Sequence, residues 1–392
     1  MRYCRRGLLT ASLALASLAT GESIASAQPV TTDSSTPAVL DEESERQLLE
    51  WIELLGSPQF DRREQAVKAL VAAGEPALPL LERNARHPNL EVRLRIIEVL
   101  SEVRQQNVER RLKQLIEGTV DPATLDLPMW EAWVEATGNS EDSRVLYAEA
   151  ARAEWNLLEY ATEAEQNDIN KRVAETLSTY QRGTTISVAT FTALLFLGAD
   201  VETVDLNVLN GVYNVRRQDV VTRAIERGRY STSLISLMDR LVLRSPRTYI
   251  TLSLQMAMDL NLPSARELSD QILAHPEEEP ERAVQTAIIA LMKRGSKDDI
   301  PTLEKLFEDR RALRISVNNL VRETQMRDIA LAASLVLAGG DLAEYKIETI
   351  PQTDPRNWPL TVYVLFPDGE TRDAAFERWR NERTMLVPSL GE

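Results

Sequence analysis

The stretch from Leu54 to Val103 constrains the fold most, because in it apolar helical patterns alternate with residues that end helices. Gly56 can adopt the left-handed conformation that ends a helix, and Ser57 suits the N-cap of the next one. Gly74 and the triplet at residues 87–89 (His-Pro-Asn) interrupt the pattern twice more. Helices separated by such short breaks pack as antiparallel neighbours. The stretch therefore predicts stacked helical hairpins.

Apolar residues between these breaks recur with the period of an α-helix, about 3.6 residues. The helix before Gly74 carries such a stripe, and so does the helix after residues 87–89. We expect both stripes to face the core. Their members are Phe60, Val67, Leu70 and Val71 in the earlier helix, and Leu90, Leu94, Ile97, Leu100 and Val103 in the later one.

Part of this stretch repeats along the chain. Arg63–Leu70 aligns with Arg93–Leu100 at an offset of 30 positions, and both segments begin with Arg and carry Leu seven residues later. A looser third copy begins at Arg327. Together with Gly74–Leu81, these segments resemble the HEAT-type helical repeats, in a shorter version than the usual one of about 40 residues or more. The chain is also similar to uncharacterised secreted bacterial proteins with HEAT-like repeats.

This resemblance implies a structural role for the recurring arginines. In HEAT-like stacks such an arginine ties adjacent repeats together by hydrogen bonds. We therefore expect Arg63, Arg93 and Arg327 to stabilise the repeats rather than to bind a ligand.

The whole chain, and not only this stretch, favours helices. It has 392 residues, 43% of them hydrophobic, but only 5% aromatic residues and 15 glycines, a composition that argues against a β-sandwich. We predict an all-α fold, an α-solenoid (superhelix) of stacked antiparallel helical hairpins, over residues 41–350. Residues 351–392 are predicted to form an atypical cap, with a short strand or extended segment in Leu360–Phe366 and a final helix from Glu370 to about Glu382. The end of a solenoid needs such a cap because its last repeat otherwise exposes its core.

The beginning of the chain predicts export. Arginines at positions 2, 5 and 6 precede an apolar run from Gly7 to about Ala19, and Ala25-Ser26-Ala27 offers small residues for cleavage. This is the pattern of a secretory signal peptide over residues 1–27, and an uncleaved anchor is the alternative. Residues 28–40 are rich in Thr, Ser, Asp and Pro and are predicted to be a disordered linker. The protein is therefore expected in the periplasm or cell envelope, or outside the cell.

Charge and the rarity of reactive side chains exclude several classes of function. The net charge of −15 repels phosphate and so argues against nucleic acid as a partner, and the apolar run is too short for a stable membrane span. The single cysteine, Cys4, lies before the predicted cleavage site. The two histidines, His87 and His275, each precede a proline at a predicted helix end, which favours a capping role. The acidic run from Glu277 to Glu281 lacks the ligand pattern of a calcium loop. We predict no catalytic set, no metal and no cofactor.

Three tryptophans are the candidate binding residues. Trp130 and Trp133 are three positions apart and so share a face of a short helix, and Trp155 lies in the next helix. They either fill the seam between neighbouring hairpins or act as aromatic anchors for a peptide or sugar.

Two functions from different classes remain. The first is an exported, non-enzymatic helical-repeat scaffold that binds a protein or peptide on its curved face, since helical repeats present large surfaces to extended partners. The alternative is a secreted, all-helical enzyme of the toroid type that acts on polysaccharide with paired carboxylates. A deep pocket that combines such a pair with tryptophan would favour the enzyme. The oligomeric state is not predicted.

Overall fold

The computed structural model describes residues 41–181, 183–317, 320–355 and 359–387. The predicted signal peptide and linker, residues 1–40, lie outside the described residues, as does the end of the predicted cap. By its internal contacts the chain divides into two compact units, Met1–Val103 and Arg104–Glu392.

The described residues are mostly helical, as the sequence predicts. They contain 17 α-helices: α1 (Glu42–Leu54), α2 (Phe60–Ala73), α3 (Leu78–Arg83), α4 (Leu90–Glu117), α5 (Trp130–Thr137), α6 (Glu141–Glu163), α7 (Gln166–Gln181), α8 (Val188–Asp200), α9 (Leu206–Val215), α10 (Asp219–Arg227), α11 (Ser231–Leu243), α12 (Ile250–Asp259), α13 (Ser264–Ala274), α14 (Glu281–Arg294), α15 (Ile300–Glu304), α16 (Met326–Ala338) and α17 (Gly369–Leu386).

Several helix ends follow the sequence signals, but the expectation for Gly56 and Ser57 is wrong: Gly56 does not have a positive φ, and the N-cap of α2 is Gln59. Ser140, Ser187 and Asp205 are N-caps whose side chains accept a backbone N–H of the first turn of α6, α8 and α9. Gly74 and Gly138 end α2 and α5 with positive φ, where a side chain would be strained. Short 3-10 turns link several helices: Glu75–Ala77, Pro122–Thr124, Arg247–Tyr249, Pro276–Glu278, Lys297–Asp299 and Ala343–Tyr345.

The predicted helical character holds for most of the described residues, which also contain two short antiparallel strand pairs that were only partly predicted from the sequence. Strand β1 (Ala312–Val317) pairs with β2 (Leu320–Gln325), with Ala312 opposite Gln325. Strand β3 (Glu348–Ile350) pairs with β4 (Tyr363–Leu365), which lies inside the segment predicted to be extended. In β1, Leu313, Ile315 and Val317 alternate with polar residues, a pattern that favours a strand over a helix.

The first unit has a small core of its own. In it α1 packs against α2 and α3, and the first part of α4 completes the cluster. Ile52, Leu70, Leu81 and Ile96 are among its fully buried side chains. Burial of a Leu or Ile side chain contributes roughly 1.5–3 kcal/mol, so these side chains account for much of the stability of the unit.

The second unit is a larger helical assembly. Helices two apart in chain order pack on each other: α6 on α8, α7 on α9, α12 on α14 and α14 on α16. Helix α8 is buried on all sides, with Phe191 and Phe196 in the core. Across the described ranges, no helix combines the length and apolar character needed to cross a bilayer.

The C-terminal helix α17 closes over apolar residues of this unit. Its Phe376 and Trp379 are buried, and the ring of Phe376 lies edge-on to Phe307 with centroids 5.2 Å apart. Trp379 Nε1 also donates a 2.9 Å hydrogen bond to Glu304.

Candidate functional site

Arg63 and Arg93 make the same hydrogen bond at equivalent positions of the repeat. Arg63 Nη1 donates to the carbonyl oxygen of Ser57, and Arg93 Nη1 donates to that of His87, each at 2.8 Å and six residues back along the chain. Each arginine therefore closes the turn that precedes its own helix. Arg63 also reaches across to Glu91 of α4, 3.6 Å from its Nε.

Arg327 is placed differently from the other two arginines. It lies at the start of α16 directly after the β-hairpin, so no helical turn precedes it. Its Nε donates to the side chain of Gln325, and its guanidinium lies 5.5 Å from the ring centroid of Phe376. The third copy of the repeat therefore has a helix at the equivalent position, but it lacks the preceding turn to which Arg63 and Arg93 donate their hydrogen bonds.

Part of the predicted core stripe is on the surface instead. Leu90, Leu94 and Ile97 of α4 are 59%, 55% and 59% exposed, and Phe60, which the repeat aligns with Leu90, is 61% exposed. In the first unit, the buried residues of α4 are Val92, Ile96, Val99, Leu100 and Val103. The expectation that Phe60, Leu90, Leu94 and Ile97 face the core is therefore wrong. Helix α4 is apolar on two faces and only one of them packs, while Phe60 is the first residue of α2, whose buried residues are Ala66 and Leu70.

We call these four exposed residues, Phe60, Leu90, Leu94 and Ile97, the apolar strip. Ion pairs join the two helices that carry it, since Arg95 binds Glu64 of α2 at 3.1 Å and Glu91 of its own helix at 2.8 Å. The strip is thus held on a fixed pair of helices. Glu98, next to Ile97, is exposed on the same helix.

Trp130 and Trp133 belong to the core of the second unit. Trp133 is fully buried and Trp130 is 8% exposed. Both rings pack edge-on against Tyr147, with centroid distances of 5.0 Å for Trp130 and 5.5 Å for Trp133, and Trp133 Nε1 donates to Ser143 at 2.9 Å. The candidate role of Trp130 and Trp133 as anchors for a partner does not fit this placement, because buried rings offer no face to a ligand.

The aromatic cluster supports a strained loop in front of α5. Asp126 and Met129 have φ values of +47° and +58°, an unusual conformation for residues with a side chain. Pro128 lies between them, and its carbonyl oxygen accepts a 2.7 Å hydrogen bond from the buried Tyr147 hydroxyl. Such backbone strain persists only where the surroundings hold it, and it is common at functional sites.

Trp155 is the one of the three tryptophans that is only half-buried, and it lines a cleft against this loop. The preceding residue, Glu154, has non-helical angles (φ −136°, ψ 37°) that bend α6 just before Trp155. The cleft has a volume of 680 Å³. We call it the Trp155 cleft and define it by the side chains of Arg111, Asp126, Trp155, Glu159, Tyr160 and Glu163.

The walls of the Trp155 cleft carry more negative than positive charge. Arg111 Nη1 donates to the carboxylate of Asp126 at 3.2 Å and to its backbone carbonyl at 3.1 Å. Glu159 and Glu163 are exposed on the next turns of α6. The ring of Tyr160 already has the guanidinium of Arg172 over its face, 5.1 Å from the centroid.

The histidines do not form a buried site. His87 Nδ1 accepts the N–H of Asn89 at 3.2 Å in the turn before α4. His275, Glu277 and Glu278 have ligand atoms within 4.8 Å of one another, but all three side chains are exposed. Exposed groups of this kind commonly cluster without a metal.

Comparison with known proteins gives no family for this chain. No family model matches it, and neither a curated protein nor a solved structure is similar enough to match. The HEAT-like resemblance therefore stays a prediction.

Sequence reasoning missed two features of these sites. The second apolar face of α4 can be recognised in the sequence, because Val92, Ile96 and Val99 repeat the i, i+4, i+7 spacing of Leu90, Leu94 and Ile97. When a helix has two apolar faces and only one packs in the core, the other is available to bind a partner. The loop at residues 126–129 gave no such signal, because its positive φ values belong to residues other than glycine and depend on the packing of Tyr147.

Proposed function

We propose that this protein is an exported, non-enzymatic helical-repeat scaffold that binds a protein or peptide partner. The signal-peptide pattern of the first 27 residues supports export. The matching bonds of Arg63 and Arg93, and the packing of helices two apart in the second unit, support HEAT-like stacking of hairpins.

The apolar strip is the observation that carries the binding proposal. Soluble proteins expose single large apolar side chains freely, but several on one face of a helix, such as Leu90, Leu94 and Ile97, are typical of a binding surface. Leu90, Leu94 and Ile97 follow the i, i+4, i+7 spacing by which helices recognise partners. All four side chains of the strip are more than half exposed, so a partner that covers them gains about 25 cal/mol for each Å² of apolar surface removed from water.

The neighbourhood of the strip indicates which partner fits. Glu98 is exposed beside Ile97, Arg93 lies next to Leu94 on the same helix, and the protein as a whole is acidic. A partner segment with an apolar face and a basic flank gains from the overall negative charge, and an amphipathic helix is the simplest such segment.

A polysaccharide-acting enzyme remains the second candidate, because the Trp155 cleft combines a tryptophan with carboxylates. It ranks second for a physical reason. A glycosidase needs one carboxylic acid that stays protonated near neutral pH, which burial in an apolar pocket provides. The side chain of Asp126 is 92% exposed and Glu159 and Glu163 are also exposed, so water surrounds all three carboxylates.

The test is a cross-linked pull-down from the envelope and medium of the source cell. The bait is the chain from Gln28 to Glu392, in three versions: unchanged, Leu94→Gln/Ile97→Gln, and Met385→Gln. The first change makes two residues of the strip polar, and the control changes an apolar side chain that is 75% exposed in α17.

We expect one recurring protein with the unchanged bait and with Met385→Gln, but not with Leu94→Gln/Ile97→Gln. Purified, that partner should bind the strip variant at least about tenfold more weakly, which corresponds to about 1.4 kcal/mol. Equal binding to all three baits would overturn the proposal, and so would the recovery of glycan alone, which would favour the enzyme.

A further inference from the structure

A second surface of the molecule, the Trp155 cleft, has the chemistry to bind a different kind of ligand. Its lining side chains carry three carboxylates, Asp126, Glu159 and Glu163, and one guanidinium, that of Arg111, while a second guanidinium, that of Arg172, lies over the ring of Tyr160. Arg111 binds Asp126, and within the part of the chain that the structure describes neither Glu159 nor Glu163 forms an ion pair. The excess negative charge favours a cation.

The aromatic residues of the cleft point to the same ligand. Tryptophan attracts a cation over its ring more strongly than tyrosine or phenylalanine does. At Tyr160 this contact already exists inside the protein, because the guanidinium of Arg172 lies 5.1 Å from the ring centroid. Trp155, five residues earlier on the same helix, is half-buried and lines the cleft.

The cleft is also held in shape before any ligand arrives. The hydroxyl of Tyr147 fixes the carbonyl of Pro128 from behind, and the strained residues Asp126 and Met129 flank that proline. On the opposite wall the bend at Glu154 sets the direction of Trp155. A preformed site loses less conformational entropy on binding than a flexible one.

From these observations we infer that the Trp155 cleft binds a cationic side chain, arginine or lysine, of an extended peptide. The cation lies over the ring of Trp155, and Glu159 and Glu163 neutralise it. A neutral sugar would also stack on Trp155 and donate hydrogen bonds to the carboxylates, but it would leave their negative charge unneutralised. This site shares no residue with the apolar strip, so the variants of one do not test the other.

The experiment measures binding of a fluorescein-labelled heptapeptide that carries two arginines in a glycine–serine background. The protein is the chain from Gln28 to Glu392, and fluorescence anisotropy gives the affinity at two salt concentrations. A matched peptide has glutamine in place of arginine. Chitohexaose and cellohexaose, unlabelled, test for a neutral sugar by competition.

Two pairs of variants separate the cleft from the general negative field of the protein. Trp155→Leu is compared with Trp51→Leu, a half-buried tryptophan of the first unit. Glu159→Gln/Glu163→Gln is compared with Glu175→Gln/Glu226→Gln, which removes the same charge from exposed positions of α7 and α10. We expect Trp155→Leu and the cleft double variant each to weaken binding about fivefold or more, and both controls to change it less than about twofold.

A direct readout guards against a variant that does not fold. In a nitrogen–proton correlation spectrum of the unchanged protein, the indole N–H peak that Trp155→Leu removes should shift as the arginine peptide is added. The inference is overturned if that peak does not move, or if Glu175→Gln/Glu226→Gln weakens binding as much as the cleft variant. Displacement of the peptide by a neutral oligosaccharide would also overturn it, and would favour the polysaccharide-acting enzyme.

Discussion

The hydroxyl of Tyr147 donates a 2.7 Å hydrogen bond to the carbonyl oxygen of Pro128, and both residues are buried. This bond ties the aromatic core of the second unit to the loop that forms one wall of the Trp155 cleft. A buried carbonyl that loses its partner keeps the full cost of its desolvation. The bond therefore contributes to the stability of the unit as well as to the shape of the cleft.

Replacing the tyrosine tests this role. Tyr147→Phe keeps the ring and its edge-on contacts but removes the hydroxyl, so we expect the free energy of unfolding to fall by about 1–2 kcal/mol. Urea denaturation followed by circular dichroism measures it. Tyr213→Phe, at a half-buried tyrosine in α9, is the control. An equal effect of the two substitutions would contradict the role assigned to the bond.

The arginines of the repeat give a second prediction. Arg63→Met and Arg93→Met each remove a charged donor to a turn carbonyl, and we expect each to lower the free energy of unfolding by about 1–2 kcal/mol. Hydrogen exchange should also become faster in the turn before the altered helix, at residues 57–60 or 87–90. Arg83→Met is the control because that side chain is 64% exposed, and its ion pair with Glu45 should contribute less than about 1 kcal/mol. Unchanged exchange in the turns would argue against the shared function of the two arginines.

Much of the helical pattern was predictable because local signals and packing agree. Helix α10 ends at Arg227 directly before Gly228, and α11 ends at Leu243 before the polar pair Arg244-Ser245. Their ends coincide with a glycine or with a change from apolar to polar residues, signals that act within a few positions. Only the packing partner is not encoded locally.

The sequence-based predictions fail where residues far apart in the chain decide which helix face is buried or which segments pair as strands. Leu90, Leu94 and Ile97 form as regular a stripe as Val92, Ile96 and Val99, and only the neighbouring helices decide which stripe is buried. The hairpin of β1 and β2 precedes the third arginine copy, and the alternation of Leu313, Ile315 and Val317 with polar residues was the signal that could have predicted its first strand. The Trp155 cleft depends on Tyr147, which is distant in sequence from the loop that it holds.

A buried ion pair gives a prediction about pH. Arg372 Nε lies 2.9 Å from the fully buried carboxylate of Asp328 in α16. Burial raises the pKa of Asp328, while the N–H of Gln325 and the guanidinium of Arg372 act in the opposite direction. Arg372→Met removes the cation, so the pKa of Asp328 in the folded protein should rise further.

The sign follows from linkage. A carboxyl whose pKa is higher in the folded than in the unfolded state stabilises the fold at low pH and loses that contribution as pH rises through the folded value. We therefore expect Arg372→Met to cost about 3 kcal/mol at neutral pH and clearly less near pH 4. Denaturation at both pH values measures the free energy of unfolding. The control is Arg380→Met, at an exposed arginine of α17, the helix that also carries Arg372. The same cost at both pH values would show that the pair acts only by packing.

The phenol of Tyr230 should lose its proton only at a pH well above the ordinary value for tyrosine. Burial raises the pKa of Tyr230 to about 12, and its hydrogen bond to Glu149, 2.7 Å long, contributes in the same direction. The stabilisation linked to the protonated phenol should be complete below the ordinary pKa of about 10 and disappear as pH rises through 12.

Phenolate absorbance during an alkaline titration tests this prediction. The difference between the unchanged protein and Tyr230→Phe should give a curve with its midpoint near pH 12. Glu149→Gln should lower that midpoint, because it removes the negative charge beside the phenol while burial remains. A midpoint near 10 in the unchanged protein would contradict the geometry described for this pair.

The central claim, that a partner docks on the apolar strip, is tested most directly by photo-cross-linking. Benzoylphenylalanine is placed at position 94 in one protein and at position 385 in another, both exposed apolar sites on helices. Each protein is irradiated in the envelope and medium fractions of the source cell. We expect one protein to be linked through position 94, to be absent from position 385, and to be displaced by excess unlabelled chain but not by Leu94→Gln/Ile97→Gln. No adduct at position 94, or the same adducts at both positions, would contradict the account.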